Sequence, residues 1–252
     1  MSTVKLDQHG FPIPEGFDGE PIATSPGVKK RNWIVALLLG VAALAGFLAV
    51  ELGPKMASRV KQEIGRQHAG KLVHRADRML RAGATREAVD ELSRAIAIDP
   101  ANVEAFRLRG GVLGQLHRYE QAAADYGRVI ELHPEDATAY NNRAYNLALA
   151  GTQLEQALED VEKALALGGP NEAFLDTRGY LLFLLGRPEE ALNDLNAAVN
   201  LVRRQASRQA RSDAGEIYYH RALVHQELGN RESAEQDFQQ AKQLGYHAPL
   251  PV

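Results

Sequence analysis

The sequence predicts an all-α fold in which one membrane-spanning helix precedes a solenoid of antiparallel helix pairs. Two observations lead to this prediction. Residues 69–248 match themselves at a period of about 34 residues, and a fixed period in this range is typical of repeat proteins. Residues 33–50 carry no charged or strongly polar side chain, which indicates a helix just long enough to cross a thin bilayer.

The composition is that of an ordinary globular protein. The chain has 252 residues, of which 45% are hydrophobic and 24% charged, and this leaves room for one or two domains. Cysteine is absent, which excludes disulfides, thiolate metal sites and cysteine nucleophiles. The net charge of −3 gives no indication of a nucleic-acid partner.

The region before the repeats divides into a tail and an apolar segment. Residues 1–32 hold prolines and glycines at spacings that interrupt helices, which predicts a flexible tail. We assign residues 33–52 to a transmembrane helix and residues 53–68 to a linker or helical extension. Basic residues flank both ends equally, and only the tight cluster at 29–31 favours a cytoplasmic N-terminus. The alternative is a cleaved signal peptide, which would leave a soluble secreted or periplasmic protein.

Small residues recur at three positions of each of five copies, where two packed helices must approach closely. The first position holds Ala76, Gly110, Ala144, Gly179 and Ala222. The second holds Ala88, Ala122, Ala157, Ala191 and Ala234. The third holds Ala95, Val129, Ala164, Ala198 and Ala241. Bulky apolar residues alternate with them at helical spacing, which predicts two amphipathic helices in each copy.

These copies resemble the tetratricopeptide repeat family, which implies a right-handed superhelix of helix pairs. We place the repeats at residues 69–102, 103–136, 137–171, 172–214 and 215–248, with a tail at 249–252. Four glycines are expected to end first helices, namely Gly83, Gly151, Gly186 and Gly229. The fourth copy carries an insertion, because 43 residues rather than about 34 separate Gly179 from Ala222.

An arginine and an acid also recur in every copy. The arginines are Arg75, Arg109, Arg143, Arg178 and Arg221 in the first helices. The acids are Glu91, Asp125, Asp160, Asp194 and Asp237 in the second helices. We expect them to pair, because a guanidinium can donate two hydrogen bonds to one carboxylate across packed helices. The sequence leaves open whether each arginine meets the acid of its own copy or of the preceding one.

The last copy differs on the face of its second helix that would meet a further repeat. Copies one to four carry apolar pairs seven residues apart at that face, for example Val89 and Ile96, whereas copy five has Glu235 and Lys242. Since a solenoid ends in a repeat with a polar outer face, we expect the array to end at copy five.

The resemblance implies that the first helices line a concave groove. One inward row is Val73, Arg107, Asn141, Asp176 and Tyr219, and the other is Asp77, Gly111, Tyr145, Tyr180 and Leu223. The candidate partner-binding residues are Arg107, Asn141, Asn142, Tyr145, Asp176, Tyr180, Phe183 and Tyr219. Amide, phenol and aromatic groups together suit an extended or helical peptide. For each aromatic residue, packing against the adjacent repeat is the equal alternative.

One subfamily of these repeats binds the C-terminal carboxylates of chaperones through a two-carboxylate clamp. The clamp uses a basic residue and an asparagine where this chain has Val73 and Asp77. The sequence therefore argues against a clamp that starts at copy one.

No catalytic or metal-binding motif stands outside the repeat pattern. His220 and His225 are the nearest approach to a metal pair, but their spacing places them on different helix faces. We therefore expect a protein that is not an enzyme, has no cofactor and binds a protein or peptide rather than nucleic acid. The alternative is an anionic ligand, bound by a predicted helix at Arg203–Arg211 in which three of the four arginines share one face. The oligomeric state is left open.

Overall fold

The computed structural model describes residues 26–204 and 208–246, without most side chains of residues 26–52 and those of residues 208–213. Within these residues the chain forms ten α-helices and no strand. The helices, α1 to α10 in chain order, are Pro26–Arg81, Thr85–Ile98, Val103–Gln115, Tyr119–Leu132, Ala137–Ala150, Leu154–Gly168, Glu172–Leu184, Pro188–Arg204, Arg208–Glu227 and Arg231–Gln243. The all-helical prediction is thus confirmed for the part of the chain that is described.

The chain divides into two units, residues 1–61 and 62–252. In the second unit each helix from α2 onward packs against the next one along the chain. The first helices of successive pairs also touch, since α5 contacts α7 and α7 contacts α9. This inner row of first helices is the side on which the sequence analysis places the groove.

Helix α1 includes residues 26–32, assigned above to the tail, as well as the apolar segment and residues 53–68. Among the side chains that the structure describes, no helix is both long and apolar enough to cross a bilayer. Most side chains of residues 33–52 lie outside that described set, so the membrane span stays a prediction. Residues 1–25 of the predicted tail and the end of the chain from residue 247 also lie outside the described residues.

The small-residue positions form the contacts between paired helices. All fifteen residues of the three rows are buried. Gly179 shows how close the helices come, because a Cβ there would lie 2.7 Å from Leu195 Cγ and 3.2 Å from the Ala191 carbonyl oxygen. A methyl group has no room at that distance, so the prediction of close helix contact is confirmed.

The ends of the first helices follow the predicted pattern with one exception. Gly83, Gly151, Gly186 and Gly229 all have φ between 65° and 78° beyond the last helical residue. In the second pair His117 adopts this conformation with φ of 56°, although a β-carbon makes it less favourable than for glycine. The imidazole of His117 therefore lies beside the groove at this turn, where the other pairs have glycine.

The predicted arginine–acid pairs form, and each joins the two helices of one pair. Arg143 shows the geometry, with Nε and Nη2 each 2.6 Å from one oxygen of Asp160. Arg109, Arg178 and Arg221 bind Asp125, Asp194 and Asp237 in the same way at 2.6–2.8 Å. The first pair is looser, with a single contact of 3.6 Å from Arg75 to Glu91. The four doubly bonded pairs fix the register of their helices.

The end of the repeat array is polar, as predicted. Glu235 and Lys242 on α10 are exposed, whereas the matching apolar residues of the four earlier second helices are buried or half-buried. These earlier residues include Ile130 and Val199, which belong to hydrophobic clusters shared with the following helix pair. A further repeat would find no apolar surface on α10 at these two positions.

Candidate functional site

A cavity of about 550 Å³ opens on the inner side of the repeats. Helix α3 contributes Gly111 and Gly114, α5 contributes Asn142 and Tyr145, and α9 contributes Glu216. Its walls thus come from the first helices of three different pairs. A volume in this range is typical of sites that hold a small ligand or a few side chains of a partner. We call this cavity the groove pocket.

Glu216 joins two walls of the groove pocket. The Tyr145 hydroxyl donates a hydrogen bond to Glu216 Oε1, and the Tyr246 hydroxyl lies 3.4 Å from the same oxygen. Burial, followed by the negative charge of Glu216, raises the pKa of both tyrosines. The two phenols therefore stay neutral at physiological pH and act as donors to the carboxylate.

Gly215 explains how Tyr246 reaches this position. A Cβ at Gly215 would lie only 2.7 Å from Tyr246 Cβ. The absent side chain lets the turn after α10 close against α9, so that Tyr246 lies beside Glu216. This contact makes the segment after the last helix part of the pocket.

An asparagine pair occupies the α5 wall. Asn146 Nδ2 donates a hydrogen bond of 2.8 Å to the Asn142 carbonyl oxygen. Asn146 is buried, and its Oδ1 has no hydrogen-bond partner. A Cβ at Gly114 would lie 2.9 Å from that oxygen, so glycine on α3 is what allows the helix to approach Asn146 Oδ1 this closely.

Two residues of the inner rows, Asp176 and Tyr180, contact His220 instead of lining the pocket. His220 Nδ1 and Asp176 Oδ1 are 2.9 Å apart, and both side chains are buried. The Tyr180 ring stacks on the His220 ring with centroids 4.2 Å apart and planes 11° apart. Burial lowers the pKa of His220, but the charge and hydrogen bond of Asp176, with the charge of Glu216, raise it overall.

The other predicted groove residues lie in different surroundings. Arg107 Nη2 forms a 2.8 Å ion pair with Asp136. Asn141 is buried with an unpaired Oδ1. Phe183 and Tyr219 are half-buried against the cluster of α7, α8 and α9, where Tyr219 lies 5.7 Å from the Phe238 ring and 5.2 Å from the Tyr246 ring.

The structure thus brings only Asn142 and Tyr145 of the eight predicted residues into the groove pocket. Glu216, Asn146 and Tyr246 are not among the residues predicted from the sequence. A signal for Glu216 is present in the alignment of the copies, where the residues at its position are Gly70, Glu104, Thr138 and Ala173. This comparison marks position 216 as variable within the repeat, and variable inward positions are where specificity can differ from copy to copy.

The arginine run falls on two helices, because α8 ends at Arg204 and α9 begins at Arg208. This corrects the single helix predicted at Arg203–Arg211. Arg203 Nε donates a 3.1 Å hydrogen bond to the Tyr218 hydroxyl, so this arginine contacts α9. Residues 205–207 and the side chains of Arg208 and Arg211 lie outside the described part of the chain.

Parts of the chain are similar in sequence to known tetratricopeptide repeat proteins. A tetratricopeptide repeat sequence profile matches residues 215–244. Tetratricopeptide repeat protein 36 of Bos taurus is 36% identical over 103 residues, which is 39% of this chain and 54% of that protein. The Hsp70-Hsp90 organizing protein of Triticum aestivum is 38% identical over 92 residues, which is 36% of this chain and 16% of that protein. The matched region is thus about half, or less, of these relatives.

Among solved structures, MamA residues 41 to the end from Desulfovibrio magneticus RS-1 superimposes with a TM-score of 0.57. The match covers 71% of this chain and 95% of that chain at 18% sequence identity. At this identity the similarity concerns the fold alone. It agrees with a solenoid of helix pairs.

Proposed function

The chain belongs to the tetratricopeptide repeat family, and from this premise we propose that it is a membrane-anchored, non-catalytic scaffold. Its repeats bind a protein or peptide partner in the groove pocket and so recruit that partner or assemble a complex. Proteins of this family generally act through protein interactions, and the pocket lies on the inner row of first helices that the family uses for binding. No cofactor is part of this proposal.

The observation that carries the proposal is the set of side chains around the groove pocket. Tyr145, Glu216 and Asn146 present hydroxyl, carboxylate and amide groups in a cavity that spans three repeats. The repeat fold itself does not require these groups, because most aligned residues differ: Glu216 recurs only as Glu104, Tyr145 only as Tyr180, and no other copy has an asparagine aligned with Asn146. Polar groups held in a concave, largely apolar site are the usual arrangement for recognition.

The chaperone partners named in the wheat relative are not part of the proposal. Val73 is buried, and Asp77 pairs with Arg81 at 2.9 Å. Neither can supply the basic residue that would hold a C-terminal carboxylate. We therefore propose a partner that is not bound by its C-terminal carboxylate at copy one.

The partner-binding proposal can be tested with a variant that fills the groove pocket. Gly111 lines the pocket, and a Cβ there would lie 3.5 Å from the Tyr126 hydroxyl, which is ordinary contact. Gly111→Leu adds a side chain inside the cavity without removing any group. Proteins cross-linked to the full chain in its native membranes would be quantified by mass spectrometry.

Gly70→Leu is the matched control, because a Cβ at Gly70 meets nothing within 4 Å. We expect Gly111→Leu to lose the captured partner while Gly70→Leu retains it, with both variants folded by circular dichroism. Equal capture by the two variants would contradict partner binding in the pocket.

The anchor proposal depends on residues 33–52, which α1 includes as helix. We propose that this segment spans the membrane with the N-terminus in the cytoplasm. Extraction of membranes at alkaline pH should leave the full chain in the pellet, and a deletion of residues 33–50 should release it. A mature N-terminus near Gly46 or Ser58 by mass spectrometry would show cleavage instead and remove the anchor.

A further inference from the structure

The groove pocket presents hydrogen-bond acceptors from two walls. Asn146 Oδ1 on α5 is buried and has no partner. Its role as acceptor is fixed by geometry, because the other end of the amide, Nδ2, donates to the Asn142 carbonyl oxygen. An amide assigned from its hydrogen-bond network in this way has an unused oxygen, but this oxygen is covered in the structure. The acceptor that a ligand can reach is therefore the half-buried carboxylate on α9.

Glu216 supplies the second acceptor and a negative charge. Its contacts among the described residues are the hydroxyls of Tyr145 and Tyr246, and no described arginine or lysine is paired with it. Two neutral donors do not compensate the carboxylate charge, and the nearby His220 donates its hydrogen bond to Asp176 instead. A ligand with a positive charge would compensate it, while a ligand carboxylate would be repelled.

The negative potential of Glu216 extends across the pocket. Burial and then the charge of Glu216 raise the pKa of Tyr119 on the α4 side. The neighbouring acid, Asp176, already has a partner in His220. Glu216 therefore dominates the potential near Tyr119, Tyr145 and Tyr246, whereas Arg107 and Asp125 are the charges that act on Tyr126.

Four tyrosines line the groove pocket, namely Tyr119, Tyr126, Tyr145 and Tyr246. Tyrosine rings attract cations and pack well against the planar guanidinium of arginine. A guanidinium also carries five N–H donors in one plane, so it can donate two parallel hydrogen bonds to one carboxylate. Lysine would satisfy the charge but offers a less planar, more strongly hydrated group.

We propose that the groove pocket binds an arginine side chain of the partner, with its charge on Glu216 and its guanidinium plane against the pocket tyrosines. The inference rests on the proposed function and specifies the partner's chemistry. It reverses the charge preference of the family's two-carboxylate clamp. The partner is thus a segment that presents an accessible arginine side chain.

The test uses four nonapeptides with capped ends that differ only at the central residue, which is arginine, citrulline, lysine or glutamate. Citrulline has the shape of arginine without its charge. Each peptide is titrated into the full chain in zwitterionic detergent, with tyrosine rings labelled with ¹³C. The eight tyrosines give few signals, and single Tyr→Phe variants assign them.

We expect the arginine peptide to shift the signals of Tyr145 and Tyr119 with a dissociation constant at least about fivefold lower than that of the citrulline peptide. Glu216→Gln should abolish this difference. Glu227→Gln removes one exposed carboxylate from the same helix and should preserve it. Glu216→Asp, which keeps the charge, should retain part of the preference.

Three results would overturn the inference. They are equal binding of the arginine and citrulline peptides, an arginine preference that survives Glu216→Gln, and tighter binding of the glutamate peptide. Equal shifts of the pocket tyrosines by all four peptides would still agree with peptide binding in the groove. Failure of the proposed partner binding would be seen in a different experiment, as equal partner capture by Gly111→Leu and Gly70→Leu.

Discussion

The repeats contain two kinds of buried polar contact, one that recurs in every helix pair and one that occurs once. The arginine–acid pairs, such as Arg143 with Asp160, join the two helices of a single pair. The contacts of Tyr145 with Glu216 and of His220 with Asp176 join different pairs and have no counterpart in the other copies. The recurring contacts follow from the needs of the fold, so the single-copy contacts indicate where the molecule is specialised.

The recurring pairs differ among themselves in a way that allows a matched test. Asp160 is 3% exposed and receives two hydrogen bonds from Arg143, whereas Arg75 is 56% exposed and makes one contact of 3.6 Å. Glu91 also keeps a second partner, Arg94, at 3.1 Å. The first pair is therefore closer to a surface ion pair than to a buried one.

The largest effect is expected from Arg143→Ala. Removing this guanidinium leaves the buried Asp160 carboxylate with only a neutral 3.4 Å contact from Gln156, which should lower the free energy of unfolding by about 3 kcal/mol. Arg75→Ala should cost less than about 1 kcal/mol, because exposed ion pairs contribute little. Urea unfolding followed by circular dichroism measures both. Equal losses would contradict the distinction between the pairs.

A smaller effect is expected at the recurring small positions. Gly179→Ala places a methyl group 2.7 Å from Leu195 Cγ, and overpacking of this kind costs about 1–3 kcal/mol. Gly70→Ala has free space within 4 Å and should be neutral or stabilising by up to about 1 kcal/mol. The melting temperature of Gly179→Ala should therefore fall, whereas that of Gly70→Ala should rise or stay unchanged. A stable Gly179→Ala protein would show that this contact is not tight.

The single-copy pair of His220 and Asp176 should make stability depend on pH. The pKa of His220 is raised above its ordinary value of 6.5 in the folded state. Its protonation therefore stabilises the fold fully below about pH 6.5, and this contribution is lost as the pH rises through the raised pKa. Burial, Tyr180 and Glu216 remain around His220 when Asp176 is changed.

Asp176→Asn should therefore destabilise the protein most at acidic pH, with a difference from the native chain that shrinks towards alkaline pH. Urea unfolding across that range measures the difference. Asp90→Asn serves as the control, since Asp90 is exposed. A destabilisation by Asp176→Asn that does not change with pH would contradict a charged His220.

The recurring features could be read from the sequence because each copy repeats the same physical requirement. Close helix contact demands a small residue such as Ala157 or Gly179, and a left-handed turn favours glycine. Five aligned arginines and acids likewise predicted their own pairing. The register was left open, and the structure places each acid within its own pair.

The groove pocket could be predicted only in part. Tyr145 belongs to an inner row and Asn142 is a predicted binding residue beside the other row, but Glu216 lies on α9, whose start follows an insertion that breaks the period. Its contact with Tyr145 joins residues 71 positions apart, and no periodicity encodes such a distance. Similarly, Asp176 and Tyr180 were placed in the groove, whereas His220 from the next pair covers them.

The central claim is that partners bind at the single-copy groups and not at the recurring pairs. Gln115 lines the groove pocket, and Gln121 lines a second cavity beside the Arg109–Asp125 pair. Both glutamines are exposed, so either position can carry the photo-cross-linking residue benzoylphenylalanine in the full chain. We expect partner adducts from position 115 and only background from position 121. Adducts of equal or greater yield from position 121 would contradict it.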